Sequence, residues 1–273
     1  MKKKPLFAIS LLLVAALLIF CVQSFFSEEL EEHLGLSSAK FAGALFTAAP
    51  DSTAKKSRAH KSDSTAAEAQ KFAALDTTRK KILFFGDSML ERLGPRLGAY
   101  AEENGHELAV VTWYSSSTEV WAKSGKAKEF IEKYKPNYVM VCLGGNELFI
   151  SDIKQKRTKY VQQLLKEIGN RPYIWIGPPN WKDDTGFNEM VQALVPAGRF
   201  YLSYTPDQHY ERAKDGAHPT AASAAKWMDR ICRWVMTKSD FPIRLNLPAN
   251  AKVSAEYRKN HCHYEYLSPP EGE

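Results

Sequence analysis

The sequence has few cysteines, and their positions argue against a disulfide framework. Only 4 cysteines occur in 273 residues. Cys21 lies in an apolar amino-terminal run, Cys142 in a second apolar run, Cys232 on the apolar face of a predicted helix, and Cys262 near the carboxyl terminus. An odd number remains outside the amino-terminal run, so no complete set of disulfides is implied. We expect Cys142 and Cys232 to be buried thiols.

Motifs for nucleic-acid binding and metal binding are also missing. There is no zinc-finger spacing, no aromatic RNA-binding signature and no basic helix, which argues against nucleic acid as a partner. His261, Cys262 and His263 have the side chains of metal ligands, but three adjacent residues in a proline-rich segment make a poor cage. We therefore expect no metal and no cofactor. The net charge of +6 suits an acidic wall polymer or a membrane face, or simply keeps the protein soluble.

Long apolar runs are absent except at the amino terminus. Residues 5–26 are apolar apart from three polar residues, and residues 2–4 are lysines. About 20 apolar residues are enough to span a bilayer as a helix, and the positive flank predicts that the short tip stays in the cytoplasm. We therefore expect a single-pass anchor in the inner membrane, with the rest of the chain in the periplasm or outside the cell. A cleaved signal peptide is the alternative, although residues 24–28 make a poor cleavage site.

Composition divides the remaining chain into three parts. Residues 27–78 are rich in Ala, Ser, Thr and Lys without sustained apolar periodicity, which predicts a stalk or linker. Residues 79–240 carry alternating strand and helix patterns and are predicted to form the one globular domain. Residues 241–273 contain four prolines and no clear period, which predicts an extended carboxyl-terminal arm.

Five short apolar runs predict strands that are buried on both faces. They cover residues 81–85, 108–113, 138–143, 173–176 and, more weakly, 199–204. Helical spacing of apolar residues predicts helices at residues 89–104, 122–134, 154–168, 187–194 and 220–236. This alternation predicts an α/β protein, a flavodoxin-like three-layer α/β/α sandwich with a five-stranded parallel sheet. In such folds ligands bind at the carboxyl ends of the strands.

Three segments that directly follow predicted strands carry candidate reactive groups. Ser88 follows the first strand at the start of a helix, and a serine becomes a nucleophile when a base takes its proton. Asp215 precedes His218 by three residues, a spacing at which the carboxylate can orient the imidazole ring and leave its second nitrogen as a base. Asn146 follows two glycines, and its amide can donate to an oxyanion. Each segment alone is also an ordinary helix cap or turn.

Together these segments resemble the SGNH or GDSL hydrolase superfamily over about residues 80–237. Residues 86–89 are similar to the family's first block, residues 144–147 to its third and residues 215–219 to its last. The resemblance implies that residues 79–240 are a catalytic domain that works through a serine nucleophile. Among the envelope carbohydrate O-acetyltransferases and esterases of this superfamily, similar variants occur that have serine where the family's second block usually has glycine.

The resemblance also implies roles for individual residues. Ser88 attacks an ester carbonyl, His218 removes the proton from Ser88, and Asp215 orients His218. The oxyanion hole consists of the backbone N–H groups of Ser88 and Ser116 and the side chain of Asn146.

Two positions depart from the family's blocks. The third block usually has Asp where Glu147 stands, and the second block usually supplies a glycine N–H to the oxyanion hole, whereas residues 113–118 contain no glycine. Because a backbone donor does not require glycine, Ser116 is predicted to take this place, with Ser115 and Ser117 as alternatives.

Three functions agree with these features. The leading expectation is an esterase that removes a small acyl group, acetyl above all, from a cell-envelope glycan. The first alternative is an O-acyltransferase that uses the same triad together with a membrane acyl-donor protein, and the second is a non-catalytic glycan-binding module. Trp113, Tyr114 and Trp181 lie near strand ends, where they either stack on sugar rings or pack on the rim of the core.

Overall fold

The computed structural model of this protein describes residues 75–270. The predicted anchor at residues 5–26 and most of the predicted stalk at residues 27–78 lie outside the described residues. Within the described part of the chain, no helix combines the length and the apolar character needed to cross a bilayer. The expectations about the anchor and the stalk therefore stay predictions.

Six parallel strands form one sheet in the described residues. They are β1 (Lys81–Gly86), β2 (Glu107–Trp113), β3 (Tyr138–Cys142), β4 (Tyr173–Ile176), β5 (Phe200–Tyr201) and β6 (Cys262–Leu267). Their spatial order is β5-β4-β3-β1-β2-β6, and each neighbouring pair is parallel. The first five strands have the flavodoxin-like order. Strands β3 and β4 are buried at every position, as expected for continuous apolar runs inside a parallel sheet.

Helices cover both faces of the sheet. Their bounds are α1 (Leu90–Asn104), α2 (Thr118–Ser124), α3 (Lys126–Tyr134), α4 (Ile153–Ile168), α5 (Phe187–Leu194), α6 (Ala221–Lys238) and α7 (Ala255–His261). Buried side chains of α1 and α6 share one hydrophobic core with one face of the sheet, and those of α2 to α5 share a second core with the other face. The α/β fold with a parallel sheet and helices on both sides is thus confirmed.

The helix predicted at residues 122–134 is two helices. Gly125 has a φ of 68°, in the left-handed region that glycine adopts at little cost. It is the residue at which α2 ends and α3 begins, so the prediction of one continuous helix over this segment is wrong.

The predicted number of strands is wrong, because the carboxyl-terminal segment adds β6 to the sheet. β6 pairs with β2 from Cys262 opposite Leu108 to Leu267 opposite Trp113. Along β6, five of the six residues are half-buried or exposed, which is typical of an edge strand and hides the strand from a search for apolar runs. The segment predicted as an extended arm therefore contains a helix, α7, and one edge of the sheet.

The central strands end level with one another and create the edge on which the candidate reactive groups lie. Gly86, the last residue of β1, pairs with Thr112 of β2 and Cys142 of β3. A side-chain carbon on Gly86 would lie 1.9 Å from the carbonyl oxygen of Cys142, so only glycine lets β1 approach β3 this closely. The loops that follow β1, β2 and β3 consequently leave the sheet side by side.

The cysteines of the described residues are free. Cys142, Cys232 and Cys262 are all buried thiols without disulfide partners. The predicted burial of Cys142 and Cys232 is confirmed, and burial raises the pKa of both thiols well above its ordinary value. These thiols are therefore protonated packing groups of the core.

Candidate active site

Ser88 and His218 meet at the carboxyl edge of the sheet, although they are 130 residues apart in sequence. Ser88 lies between β1, which ends at Gly86, and α1, which begins at Leu90, and His218 lies three residues before α6. The Ser88 Oγ atom is 2.7 Å from His218 Nε2, which is hydrogen-bonding distance. A proton on the serine hydroxyl therefore has a direct path to the imidazole ring.

Asp215 holds the other side of the imidazole ring. Its Oδ2 atom is 2.9 Å from His218 Nδ1, and its Oδ1 atom accepts hydrogen bonds from the N–H groups of Ala217 at 2.9 Å and His218 at 3.0 Å. The hydrogen bonds from the His218 N–H and ring, followed by that from Ala217, lower the pKa of Asp215 to about 2. The ionised carboxylate favours the tautomer with a proton on Nδ1, which leaves Nε2 free to accept the proton of Ser88.

The Asp215–His218 pair is open to solvent. The side chain of Asp215 is 51% exposed and that of His218 is 30% exposed. Arg212 supports the loop that carries Asp215 and His218. Its guanidinium donates to the carbonyl of Ala217 at 2.8 Å, to that of Asn180 at 3.0 Å and to that of Pro179. These bonds tie the histidine loop to the segment after β4, and nothing in the spacing of Arg212 in the sequence predicts them.

The candidate oxyanion donors lie on the loops after β1 and β3. The Ser88 N–H makes no hydrogen bond within residues 75–270. The amide of Asn146 donates one hydrogen bond, from Nδ2 to the carbonyl oxygen of Ser116 at 2.9 Å, which fixes the orientation of the amide plane. An amide nitrogen has two hydrogens, so a second donor is available to an oxyanion.

Ser116 is buried in the turn after β2. Its N–H donates to the carbonyl of Trp113 at 3.3 Å, and its hydroxyl donates to the same oxygen at 2.8 Å. The hydroxyl also accepts a hydrogen bond from Trp121 Nε1 at 2.9 Å. Ser115, immediately before it, has a φ of 57° and completes this tight turn. The Ser116 N–H thus already has an acceptor in the carbonyl of Trp113. Its predicted role in the oxyanion hole stays a prediction.

Asp87 connects the candidate nucleophile to the glycine loop, residues 144–145, and its place in the sequence did not predict this role. Its carboxylate is buried and accepts the N–H groups of Met89 at 3.1 Å and Gly145 at 3.2 Å. Burial raises the pKa of Asp87 to about 6, and the hydrogen bonds from Met89 and Gly145 oppose that rise. Asp87 therefore connects the segment that carries Ser88 to the loop that carries Asn146, and within residues 75–270 it forms no hydrogen bond with either side chain.

Glu147 lies where the SGNH superfamily usually has Asp, and it holds the end of the turn formed by residues 115–117. Its buried carboxylate accepts the N–H of Thr118 at 2.8 Å and the Thr118 hydroxyl at 2.7 Å, and Arg157 Nε donates to it at 2.9 Å. Burial raises the pKa of Glu147 to about 7, while Thr118 and Arg157 act in the opposite direction. Asn146 and Glu147 thus hold the loop after β2 at two points, Ser116 and Thr118.

The predicted substrate contacts have different surroundings. Trp113 donates from Nε1 to the carbonyl of Ser268 at 2.7 Å and lies edge-on to the buried ring of Trp121 at 5.3 Å, so it packs on the rim of the core. Tyr114 stacks on the exposed ring of Tyr266 with centroids 6.4 Å apart. Only the tertiary structure brings Tyr266 here, because it lies on β6.

Trp181 lies directly beside the glycine loop. Its Nε1 donates to the carbonyl oxygen of Gly145 at 2.8 Å, and its ring is half-buried. Among the three predicted substrate contacts, Trp181 is therefore the one hydrogen-bonded to the loop that carries Asn146.

Metal-ligand side chains are not grouped in the described residues. No cluster of three or more His, Cys, Asp or Glu residues within residues 75–270 is arranged to hold a metal ion. His261, Cys262 and His263 have different surroundings: His261 contacts Arg79, the Cys262 thiol is buried, and His263 packs against Tyr134.

Several solved structures are similar to this chain. An esterase from Pseudoalteromonas sp. is 15% identical and aligns with 57% of this chain and 96% of its own, with a TM-score of 0.42. A family 3 carbohydrate esterase from Clostridium thermocellum is 14% identical over 57% of this chain and 94% of its own, with a TM-score of 0.42. A G-D-S-L family protein from Desulfitobacterium hafniense is 13% identical over 56% of this chain and 98% of its own, with a TM-score of 0.38. No protein-family model and no curated protein sequence matches the chain. The function of this chain is therefore inferred from the geometry of Ser88, His218, Asp215 and Asn146.

Proposed function

We propose that this protein is a serine ester hydrolase of the SGNH type. The observation that carries the proposal is the continuous series of contacts from Asp215 through His218 to Ser88, with 2.9 Å between Asp215 Oδ2 and His218 Nδ1 and 2.7 Å between His218 Nε2 and Ser88 Oγ. A serine next to a base that is itself oriented by a carboxylate is the arrangement required for nucleophilic catalysis.

The first half of the reaction forms an acyl-enzyme. Ser88 Oγ attacks the ester carbonyl carbon while His218 Nε2 takes the hydroxyl proton. The carbonyl oxygen becomes an oxyanion, which accepts hydrogen bonds from the Ser88 N–H and the Asn146 amide. The carbon–oxygen bond to the alcohol then breaks, and the alcohol leaves with the proton from His218.

The second half returns the enzyme to its starting state. Water donates a proton to His218 Nε2 and its oxygen attacks the acyl carbon. The bond to Ser88 Oγ breaks, Ser88 recovers the proton from His218, and a carboxylic acid leaves. Throughout both halves Asp215 stabilises the imidazolium without accepting its proton, because the pKa of Asp215 is about 2.

Solvent access favours hydrolysis over acyl transfer. An acyltransferase must keep water away from its acyl-enzyme. Here the base and its carboxylate partner are 30% and 51% exposed, so water reaches the proton-transfer path from outside. We therefore prefer the hydrolase to the O-acyltransferase that uses the same triad.

We further propose that the substrate is a small acyl ester, acetyl above all, on a cell-envelope glycan. The half-buried Trp181 beside the glycine loop and the stacked pair of Tyr114 and Tyr266 support a sugar as the alcohol, because aromatic faces pack against sugar rings. The net charge of +6 and the apolar residues 5–26 support a location at the membrane, facing the envelope.

Replacement of the nucleophile tests the mechanism. Ser88→Ala in the full-length chain should lower kcat for an aryl acetate by about 10⁴- to 10⁶-fold, because the acyl-enzyme no longer forms. Ser124→Ala, which removes a hydroxyl at the end of α2, is the matched control and should keep normal turnover. Circular dichroism spectra of both variants verify the fold. Near-normal turnover by folded Ser88→Ala protein would refute the esterase mechanism.

Protease accessibility tests the location. If residues 5–26 hold the chain with its catalytic domain outside the cytoplasm, protease added to intact spheroplasts should degrade that domain. A domain that is protected until the membrane is disrupted would reverse the proposed orientation. It would also remove the support for an envelope glycan, while leaving the triad untouched.

A further inference from the structure

Phe149, Trp181 and Lys182 form a cationic corner at the surface. The rings of Phe149 and Trp181 are nearly perpendicular, with centroids 6.2 Å apart. The Lys182 ammonium lies 4.9 Å from the centroid of Phe149 and 4.7 Å from that of Trp181. Phe149 is 53% exposed, so part of its ring is accessible to a ligand.

The corner belongs to the edge of the candidate active site. Trp181 Nε1 donates to the carbonyl oxygen of Gly145, and the N–H of that same glycine donates to Asp87, the residue before the nucleophile. Phe149 lies three residues after Asn146 in the loop that supplies the candidate oxyanion donor. The corner is therefore connected through Gly145 and Asp87 to the segment that carries Ser88.

Lys182 is exposed, and within residues 75–270 no carboxylate forms an ion pair with its ammonium group. The carboxylate of Asp184 nearby accepts the N–H groups of Gly186, Phe187 and Asn188 at the start of α5. The aromatic faces attract the ammonium group, and its N–H groups that do not point at the rings can donate to a ligand.

We propose that this corner binds an anionic sugar, so that the enzyme prefers acyl esters of sugars with a carboxylate over esters of neutral sugars. The ring of the sugar packs on Trp181 or Phe149, and its carboxylate accepts hydrogen bonds from Lys182. The proposal rests on the proposed esterase function and narrows its substrate class.

Paired esters test the preference. The acetyl esters of methyl glucuronoside and methyl glucoside share one ring and differ by a carboxylate. With full-length protein, the ratio of kcat/KM for the acidic ester to that for the neutral ester should exceed 1 at low salt and decline as salt is added. Lys182→Gln should lower this ratio about 3- to 5-fold, as for a partly exposed ion pair, Lys182→Glu should lower it further, and Lys182→Arg should retain most of it.

Lys159→Gln is the matched control, because Lys159 is also an exposed lysine over an aromatic ring, 4.8 Å from the centroid of Tyr160 on α4. It should leave the ratio unchanged. An equal ratio in wild-type and Lys182→Gln protein would overturn the proposal.

A binding measurement separates this proposal from the proposed function. Ligand-observed NMR with Ser88→Ala protein should show tighter binding of methyl glucuronoside than of methyl glucoside, and the additional Lys182→Gln change should abolish the difference. Equal binding of the two sugars, or a preference that survives Lys182→Gln, overturns the corner whatever the turnover results are. Failure of the esterase function would be seen in a different result, which is ester turnover that does not depend on Ser88.

Discussion

Asp87 and Asp215 are two aspartates near the candidate nucleophile, and their environments differ in burial and in the direction of the pKa shift. Asp87 is buried, and burial raises its pKa to about 6. Asp215 is exposed, and hydrogen bonds from His218 and Ala217 lower its pKa to about 2. The carboxylate that contacts the candidate base is thus the exposed one, whereas the buried carboxylate accepts hydrogen bonds only from backbone N–H groups within residues 75–270.

The difference separates two tasks that a carboxylate performs at such a site. Asp215 has to remain charged to stabilise an imidazolium, and solvent together with three hydrogen bonds keeps it so. Asp87 has to hold the loops after β1 and β3 together, which it does through Met89 and Gly145. We expect substitutions at the two positions to have different consequences.

The largest expected difference comes from identical substitutions of the two residues. Asp215→Asn should keep the loop but stabilise the wrong tautomer of His218, with a fall in kcat of about 10⁴-fold. Asp87→Asn keeps one oxygen acceptor and touches no reacting atom, so we expect a fall of about 10-fold at most. Steady-state kinetics with an aryl acetate measure both. Comparable losses in the two variants would show that the tasks are not separate.

Asn146→Ala sharpens the comparison by testing the loop that Asp87 holds. Removal of one oxyanion donor should lower kcat by about 10²- to 10³-fold, between the two aspartate variants. The measurement is kcat for the same ester, with thermal unfolding as a control, because the variant also loses the hydrogen bond to Ser116. Harmless substitution in a protein of normal stability would refute the role of Asn146 while leaving the triad intact.

The smallest expected effect is on stability as a function of pH. Asp87 binds its proton more tightly in the native state, with a pKa of about 6, than at its ordinary value of 3.8. Between these values the native state binds more protons than the unfolded chain, so the free energy of unfolding falls as pH rises, by about 3 kcal/mol at most. Asp215 has the opposite sign: its stabilisation is present above pH 3.8 and is lost as pH falls toward about 2.

Urea unfolding at pH 4 and pH 6.5 checks the effect of Asp87. The difference in unfolding free energy between wild type and Asp87→Asn isolates this group, because the buried Glu147 is present in both proteins. The wild-type protein should lose stability relative to the variant as pH rises. A difference that is constant across this range would mean that Asp87 does not have a raised pKa.

Much of the fold follows from local patterns. The first four strands and the helices α1, α4, α5 and α6 begin and end within two residues of their predicted bounds, because apolar runs and helical spacing are local features. β6 escaped prediction since it is a half-exposed edge strand whose partner, β2, lies about 150 residues earlier. The break at Gly125 escaped since a glycine inside a helical pattern is often tolerated.

The candidate site divides in the same way. The relation of Asp215 to His218 was predictable because three residues in one turn bring the carboxylate to the ring, whatever the rest of the chain does. The local pattern likewise predicted that Ser88 lies after a strand and before a helix.

Only the tertiary structure decides which loops meet and what their polar groups bind. It brings His218 to Ser88, which is 130 residues away in sequence. It also decides that the Ser116 N–H donates to the carbonyl of Trp113 and that the carboxylate of Glu147 accepts from Thr118. The physical reason is that a buried polar group takes whichever partner the packed strands bring near, and the order of strands is a property of the whole sheet. The sequence therefore predicted the candidate reactive side chains of this protein, while packing of the sheet determined the distances between them, their exposure and their electrostatic surroundings.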